Sequence, residues 1–254
     1  MSLKGKIAWV TGGGTGIGRA GALALAADGA TVIVSGRSEA TLKVTVDLVK
    51  KAGGKVELRK LDVANKKAVA RTAAAIEKKH GRIDILVNSA GTNVPNRSWE
   101  ALTVEAWEDV VRTNLDGMFY CCLAVLPGMR KRRDGLVINI SSWFGKVVLP
   151  AAGPSYTASK FGAAAMTESI NAEEGGNGLR ACVICPGEVA TPILLKRPVV
   201  PPKEEQDRML QEEDLGRTIA FVASMPARAC VNEIIISPTH NRFYGGRVLD
   251  TKKK

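Results

Sequence analysis

Short β-branched apolar runs alternate along this chain with longer amphipathic segments, and no other feature limits the possible folds so strongly. The strand-like runs lie at 6–10, 31–35, 55–61, 83–87, 136–140, 179–184 and 233–236. They are near-continuously apolar rather than alternating, as strands buried on both faces are. Helix-length segments fill the intervals, at roughly 16–29, 38–52, 64–80, 103–132, 156–175 and 213–224. Strands that alternate with helices imply βαβ crossovers and a parallel sheet. The expectation is an α/β fold: one Rossmann-type, doubly wound sheet of about seven parallel strands, with helices on both faces.

The chain has 254 residues, and α/β folds reach about 250 residues as one unit. With no internal repeat or linker, residues 1–254 are expected to form a single dinucleotide-binding catalytic domain. Hydrophobic residues make up 45% and charged residues 24%, close to globular averages. No apolar run approaches the roughly 18 residues that suggest a membrane helix. The start, Met1-Ser2-Leu3-Lys4-Gly5-Lys6, has no apolar core and no cleavage site of a secretory signal. Five cysteines, an odd and low count, argue against a disulfide framework. A cytoplasmic protein with no membrane partner is expected. Cys182-Val183-Ile184-Cys185 matches C-x-x-C, but in a strand positions three apart face opposite ways, so two packed thiols are expected. With two histidines in the chain, no metal site is expected.

The net charge of +11 permits anionic partners. Its densest clusters are Arg130-Lys131-Arg132-Arg133 and Lys252-Lys253-Lys254. The first closes a helix-like segment, where cations suit the negative end of the dipole. No aromatic side chains interleave with the basic residues to stack bases, so nucleic acid is not an expected partner.

The first strand ends in Thr11-Gly12-Gly13-Gly14-Thr15-Gly16-Ile17-Gly18, and a helix follows at once. Glycines let a backbone turn tightly and approach a pyrophosphate, and the helix start offers free N–H groups and a positive dipole end. The spacing is neither G-x-G-x-x-G nor a P-loop, because the critical glycines stand at 12, 16 and 18 and no Gly-Lys-Ser/Thr follows.

T-G-x-x-x-G-x-G at the first turn resembles the cofactor fingerprint of the short-chain dehydrogenase/reductase family. Further blocks appear in the family's order: Asn88-Ser89-Ala90-Gly91, then Asn114, Ser142 and Tyr156-x-x-x-Lys160, then Pro186-Gly187 with Thr191. The resemblance covers essentially the whole chain. It implies a strand order 3-2-1-4-5-6-7 and a homo-oligomer, a tetramer or a dimer. It implies that Gly12, Thr15, Gly16, Ile17 and Gly18 hold the cofactor at the first turn. It places Asp62 and Val63 on the adenine side, and makes Asn88 a sheet-stabilising residue beside Ala90 and Gly91. Tyr156, Lys160, Pro186, Gly187, Val189 and Thr191 complete the implied cofactor contacts.

Sites that prefer NAD place a carboxylate at the end of the second strand, about 20 residues after the glycines, for the ribose hydroxyls. Here that strand ends Ser35-Gly36-Arg37-Ser38. Nothing there repels a 2′-phosphate, Arg37 can pair with one, and Ser35 and Ser38 can add hydrogen bonds. NADP(H) rather than NAD(H) is the expected cofactor; the plainer alternative is that Arg37 tops a surface turn.

Tyr156 and Lys160 are four apart on an expected helix and share a face. Ser155 is expected as that helix's N-cap. Tyrosine alone is a poor acid or base at neutral pH, because its free pKa is about 10, and a neighbouring ammonium should lower that value. Tyr156 is therefore the candidate general acid/base and Lys160 its electrostatic partner. By resemblance Lys160 also contacts the nicotinamide ribose, and Asn114 holds a water in a proton relay with Lys160. Ser142, at the end of the fifth strand, is expected to orient the substrate oxygen. It stands one position further from the tyrosine than the family's usual serine, and Ser141 is the alternative.

Trp143, Phe144, Val147, Val148, Leu149 and Pro150 make the loop before Tyr156 apolar, either to receive a partly hydrophobic substrate or to pack the core. Arg197-Pro198-Val199-Val200-Pro201-Pro202, at the carboxyl edge of the sheet, is either a lid or a plain connection. His240, Phe243 and Tyr244 carry no assigned role. The expected function is hydride transfer between NADP(H) and a small carbonyl or secondary alcohol. The alternative is an NADP(H)-binding sensor without turnover.

Overall fold

The computed structural model describes residues 2–243. Its elements in chain order are β1 (Ile7–Thr11), α1 (Gly16–Ala27), β2 (Thr31–Gly36), α2 (Glu39–Lys51), β3 (Lys55–Lys60), α3 (Lys66–His80) and β4 (Ile85–Asn88). There follow α4 (Val104–Val111), α5 (Gly117–Arg132), β5 (Gly135–Ile140), α6 (Pro154–Glu174), β6 (Leu179–Pro186), α7 (Lys203–Asp207), α8 (Glu212–Ser224) and β7 (Glu233–Ile236). The seven strands form one sheet of order β3-β2-β1-β4-β5-β6-β7, and every pairing is parallel. The expected doubly wound fold and strand order are both present.

Side chains of a strand point alternately to its two faces, so each strand feeds two cores. Ala8 and Val10 of β1 join Val32, Val34, Ile85, Val87 and Ile138 under Leu25, Leu42 and Ile219 of α1, α2 and α8. Ile7 and Trp9 join Ile33, Leu86 and Val137 under Val69, Val125 and Ala163 of α3, α5 and α6. Burial on both faces holds for the central strands. At the edges it fails: β3 and β7 are only partly buried, and Ile235 is half exposed.

A polar line crosses this interior. Asn88 at the end of β4 donates from Nδ2 to Asn139 Oδ1 on β5 (2.9 Å), and Asn139 Nδ2 donates to Thr167 Oγ1 on α6 (2.9 Å). Asn88 thus joins β4 to β5, in line with the sheet-stabilising role that the resemblance implied.

Two local expectations are corrected, and one short helix is added. The segment 103–132 is not one regular helix, because a π-helical turn at Arg112–Asp116 separates α4 from α5. α6 starts earlier than expected: Gly153 is its N-cap, Pro154 fills the first turn, and Ser155 is fully buried inside that turn. Proline suits this position because its missing N–H would have had no helical partner. The short α7 had no signal in the periodicity.

The basic cluster closes α5 as expected, with Arg130, Lys131 and Arg132 in its last turn. Cys182 and Cys185 are free and buried, and burial pushes the Cys182 thiol up to about 12. Tyr244 and the lysines at 252–254 lie outside the described residues. Among the described residues no helix is long and apolar enough to cross a membrane.

Candidate active site

The glycine-rich turn sits at the carboxyl end of β1. Gly12 has φ +66°, and a Cβ there would stand 2.7 Å from the Ala90 nitrogen. Gly18 lies against the Gly12 carbonyl, where a Cβ would come within 2.4 Å of the oxygen. The turn is held from α2: Thr45 Oγ1 donates to Gly13 O (2.8 Å), and Arg19 bonds both Gly14 O and Thr45 Oγ1. Sequence reasoning missed these two pinning residues, because nothing in a threonine and an arginine 26 positions apart marks them as partners.

Thr15 is extended and makes no side-chain cap on α1. The helix therefore presents uncapped positive dipole at this turn. Glu212, at the start of α8, reaches the same place, with its Oε1 4.0 Å from where a Gly16 Cβ would stand, and burial raises the pKa of its carboxyl. This contact too was not foreseen.

Arg37 is exposed just past β2, as expected. The two serines beside it have other work. Ser35 is fully buried and accepts from Trp9 Nε1 (2.9 Å). Ser38 caps α2, accepting from the Thr41 N–H at 3.4 Å. Asp62 is exposed past β3 and accepts from the Ala64 N–H (3.0 Å), while Val63 is buried beside Gly117.

Beyond β4 the chain runs along the opposite wall. The Ala90 N–H donates to Thr11 Oγ1 (3.4 Å). Asn114 sits in the π turn, fully buried. Its Nδ2 donates to Thr92 O (2.9 Å) and to Ser159 Oγ (3.2 Å), and its Oδ1 accepts from the Thr92 N–H (2.8 Å). A Cβ on Gly91 would stand 3.6 Å from both Asn114 Oδ1 and Lys160 Nζ, so these two groups converge over Gly91.

Lys160 is 4% exposed, and its Nζ donates to Ile140 O (2.9 Å). Burial pulls its pKa down to about 8. Its ammonium lies 5.4 Å from the centre of the Tyr156 ring. Burial raises the Tyr156 pKa, against the opposing effects of nearby Ser142 and of the charges of Arg197 and Arg97. The expected lowering by Lys160 is therefore not what the protein alone shows: desolvation of the phenolate wins, and the ammonium is turned to the end of β5.

The two candidate serines separate cleanly. Ser141 Oγ donates to Lys160 O (2.8 Å) and faces α6. Ser142 caps the 3-10 turn Trp143–Gly145 by accepting from the Phe144 N–H (3.1 Å), and it stands close enough to Tyr156 to favour the phenolate. The one-residue-longer loop still brings Ser142 to Tyr156.

The far rim is formed after β6. Val189 bridges to Leu210, and Thr191 begins the 3-10 turn Pro192–Lys196 with its side chain 3.5 Å from where a Gly16 Cβ would stand. Gly187 donates to Ile236 O (2.7 Å), joining β6 to β7 next to Pro186. Lys196 Nζ donates to Thr92 Oγ1 (2.6 Å), so this segment reaches across to the opposite wall.

The site thus lies outside the carboxyl ends of the parallel strands, where open α/β sheets bind ligands. The profile of the short chain dehydrogenases matches residues 6–198. The chain belongs to the short-chain dehydrogenase/reductase family. It is 32% identical to a 3beta-hydroxysteroid dehydrogenase of Mediterraneibacter gnavus, over 91% of this chain and 93% of that one. It is also 32% identical to a 3-oxoacyl-acyl-carrier-protein reductase of Thermotoga maritima, over 92% and 97%. Among solved structures, a metagenomic short-chain oxidoreductase in complex with NADP superimposes with a TM-score of 0.82 at 28% identity, covering 94% of this chain and 99% of that one. Levodione reductase gives 0.86 at 26% identity, over 95% and 99%.

This short-chain dehydrogenase/reductase is thus an oxidoreductase acting on CH–OH and C=O groups, and its family uses NAD(P)(H). The chain fits a dinucleotide: Gly12 at φ +66° lets the first turn pack on the Ala90 backbone, α1 is uncapped by its own N-cap side chain, and Lys160 and Asn114 converge over Gly91.

Proposed function

We propose that the protein transfers a hydride between NADP(H) and a small carbonyl or secondary-alcohol substrate, with Tyr156 as general acid/base. The convergence of Ser142, Tyr156 and Lys160 beside the glycine-rich turn carries this reading. When bound, the nicotinamide supplies or accepts the hydride. Gly12, Thr15, Gly16, Ile17 and Gly18 would hold the pyrophosphate at the start of α1, and Asp62 and Val63 would hold the adenine side.

Ser142 orients the substrate oxygen. Tyr156 gives its phenolic proton to that oxygen during reduction and takes one back during oxidation. A tyrosine whose pKa is raised is suited to the acid role. Lys160 would hold the nicotinamide ribose, and Asn114, by holding Thr92, keeps that wall in place. Exposed Arg37 supports the preference for NADP(H), since a guanidinium matches a 2′-phosphate and no carboxylate stands in its turn.

The test is NADPH and NADH consumption with a panel of aldehydes, ketones and keto acids, with Tyr156→Phe alongside. NADPH consumption that vanishes in the variant supports the reading. Tight NADPH binding without turnover of any compound overturns it in favour of a sensor.

A further inference from the structure

Two guanidinium groups stand beside Tyr156 that the chemistry above does not use. Arg97 follows β4, and its side chain crosses to the opposite rim. There it donates to Ala151 O (3.4 Å) and to Lys196 O. It lies over Gly153, where a Cβ would come within 2.7 Å of the Arg97 Cβ, three residues before Tyr156. Its Nε is buried without an acceptor, and among the described residues no carboxylate pairs with it. Arg197 continues the same rim and donates to Glu188 Oε1 (2.6 Å).

The charges do not cancel. Buried Glu188 is shared, since Arg242 also donates to both of its oxygens (2.7 and 2.8 Å). Glu205 takes the remaining bond of Arg242 (3.0 Å). Two carboxylates therefore match Arg197 and Arg242, and Arg97 is left as a surplus cation. Both Arg97 and Arg197 are close enough to favour negative charge on Tyr156.

The turn that follows Ser142 is aromatic. Trp143 and Phe144, in the turn capped by Ser142, both pack on Phe243, with ring centres 5.6 and 5.5 Å apart. All three are partly exposed. An apolar body can lie there while a charged end reaches Arg97.

We propose that the substrate is an oxo acid or hydroxy acid: an apolar body against Trp143, Phe144 and Phe243, with its carboxylate received by Arg97. This rests on the hydride-transfer reading above. One surplus guanidinium matches a single negative charge, and its planar fork matches a carboxylate.

The test compares aliphatic and aryl 2-, 3- and 4-oxo acids with their methyl esters, which keep the carbonyl and lose the charge. Initial rates with NADPH are measured for the natural protein, Arg97→Gln and Arg97→Lys. NADPH affinity of each variant is measured separately as a check on the fold. The expected result is a kcat/KM at least tenfold higher for the acids. In Arg97→Gln the acid-to-ester ratio should fall about 10- to 100-fold, chiefly through KM of the acid. Arg97→Lys should restore part of it. Esters or neutral ketones turned over as well as the acids, or an acid-to-ester ratio unchanged in Arg97→Gln, would overturn this inference and leave the hydride-transfer reading intact. Absence of turnover with every compound overturns both.

Discussion

Asn114 holds Thr92 by both of its backbone groups, donating to its carbonyl at 2.9 Å and accepting from its N–H at 2.8 Å. One fully buried side chain thus replaces the ladder that this stretch of wall lacks. Asn114→Ala removes both bonds and leaves buried groups unpaired, at a cost of about 1–3 kcal/mol for each unsatisfied group. Asn114→Asp keeps the acceptor and loses the donor, so it should fall between the two. Urea unfolding checks the order, natural protein above Asp above Ala, and the same order is expected for kcat.

The serines 141 and 142 predict opposite outcomes. Ser142→Ala should lower kcat about 10²-fold or more, with a stability change within about 1 kcal/mol, because its hydroxyl faces Tyr156. Ser141→Ala loses a buried bond to Lys160 O, so it should cost about 1 kcal/mol in stability and far less in rate. Thermal melts and initial rates on both variants separate the two roles.

Lys160 gives a pH dependence with a definite sign. Its folded pKa, about 8, lies below its ordinary 10.5. Between those values the unfolded chain binds the extra proton, so unfolding free energy rises with pH across that window. The buried charge is therefore a burden below about pH 8 and is relieved by pH 10.5. In the cofactor-free protein, Lys160→Met should remove this burden. Its advantage over the natural protein should shrink by about 3 kcal/mol from pH 7 to 10.5. Parallel urea titrations at several pH values measure the difference.

Gly12→Ala places a Cβ 2.7 Å from the Ala90 nitrogen, on a backbone at φ +66°. The strain costs more than about 1 kcal/mol, and the displaced turn should also weaken NADPH binding at least tenfold. Melting curves and cofactor titration by fluorescence test both parts.

Arg37→Glu puts a carboxylate where a 2′-phosphate would approach. The NADPH-to-NADH ratio of kcat/KM should fall at least 100-fold, a change of about 3 kcal/mol. An unchanged ratio would exclude Arg37 as the discriminating residue.

The sheet was legible because its central strands are buried on both faces, and that leaves an almost uninterrupted apolar signature in runs such as Val32-Ile33-Val34. The edge strands β3 and β7 were legible as strands but not as half-exposed ones, since strand order, not composition, decides burial there. The π turn at Asn114 was invisible, because inserting one residue into a helix leaves no mark in a periodicity read over so few turns. Ser35 and Ser38 looked like phosphate ligands by position, and only their side-chain directions send one to Trp9 and the other to the cap of α2. Arg97 escaped notice because it meets Gly153 and Lys196 only once the chain has folded.

The line Asn88–Asn139–Thr167 has a wider meaning. Apolar packing is non-directional and can shift, but a chain of buried amide and hydroxyl bonds fixes distance and angle together. It acts as a gauge block between the end of β4, which leads to Gly91, and α6, which carries Tyr156 and Lys160. Rim segments such as 197–202 can then change in length and composition while the span between the two walls of the crevice stays calibrated from within the sheet.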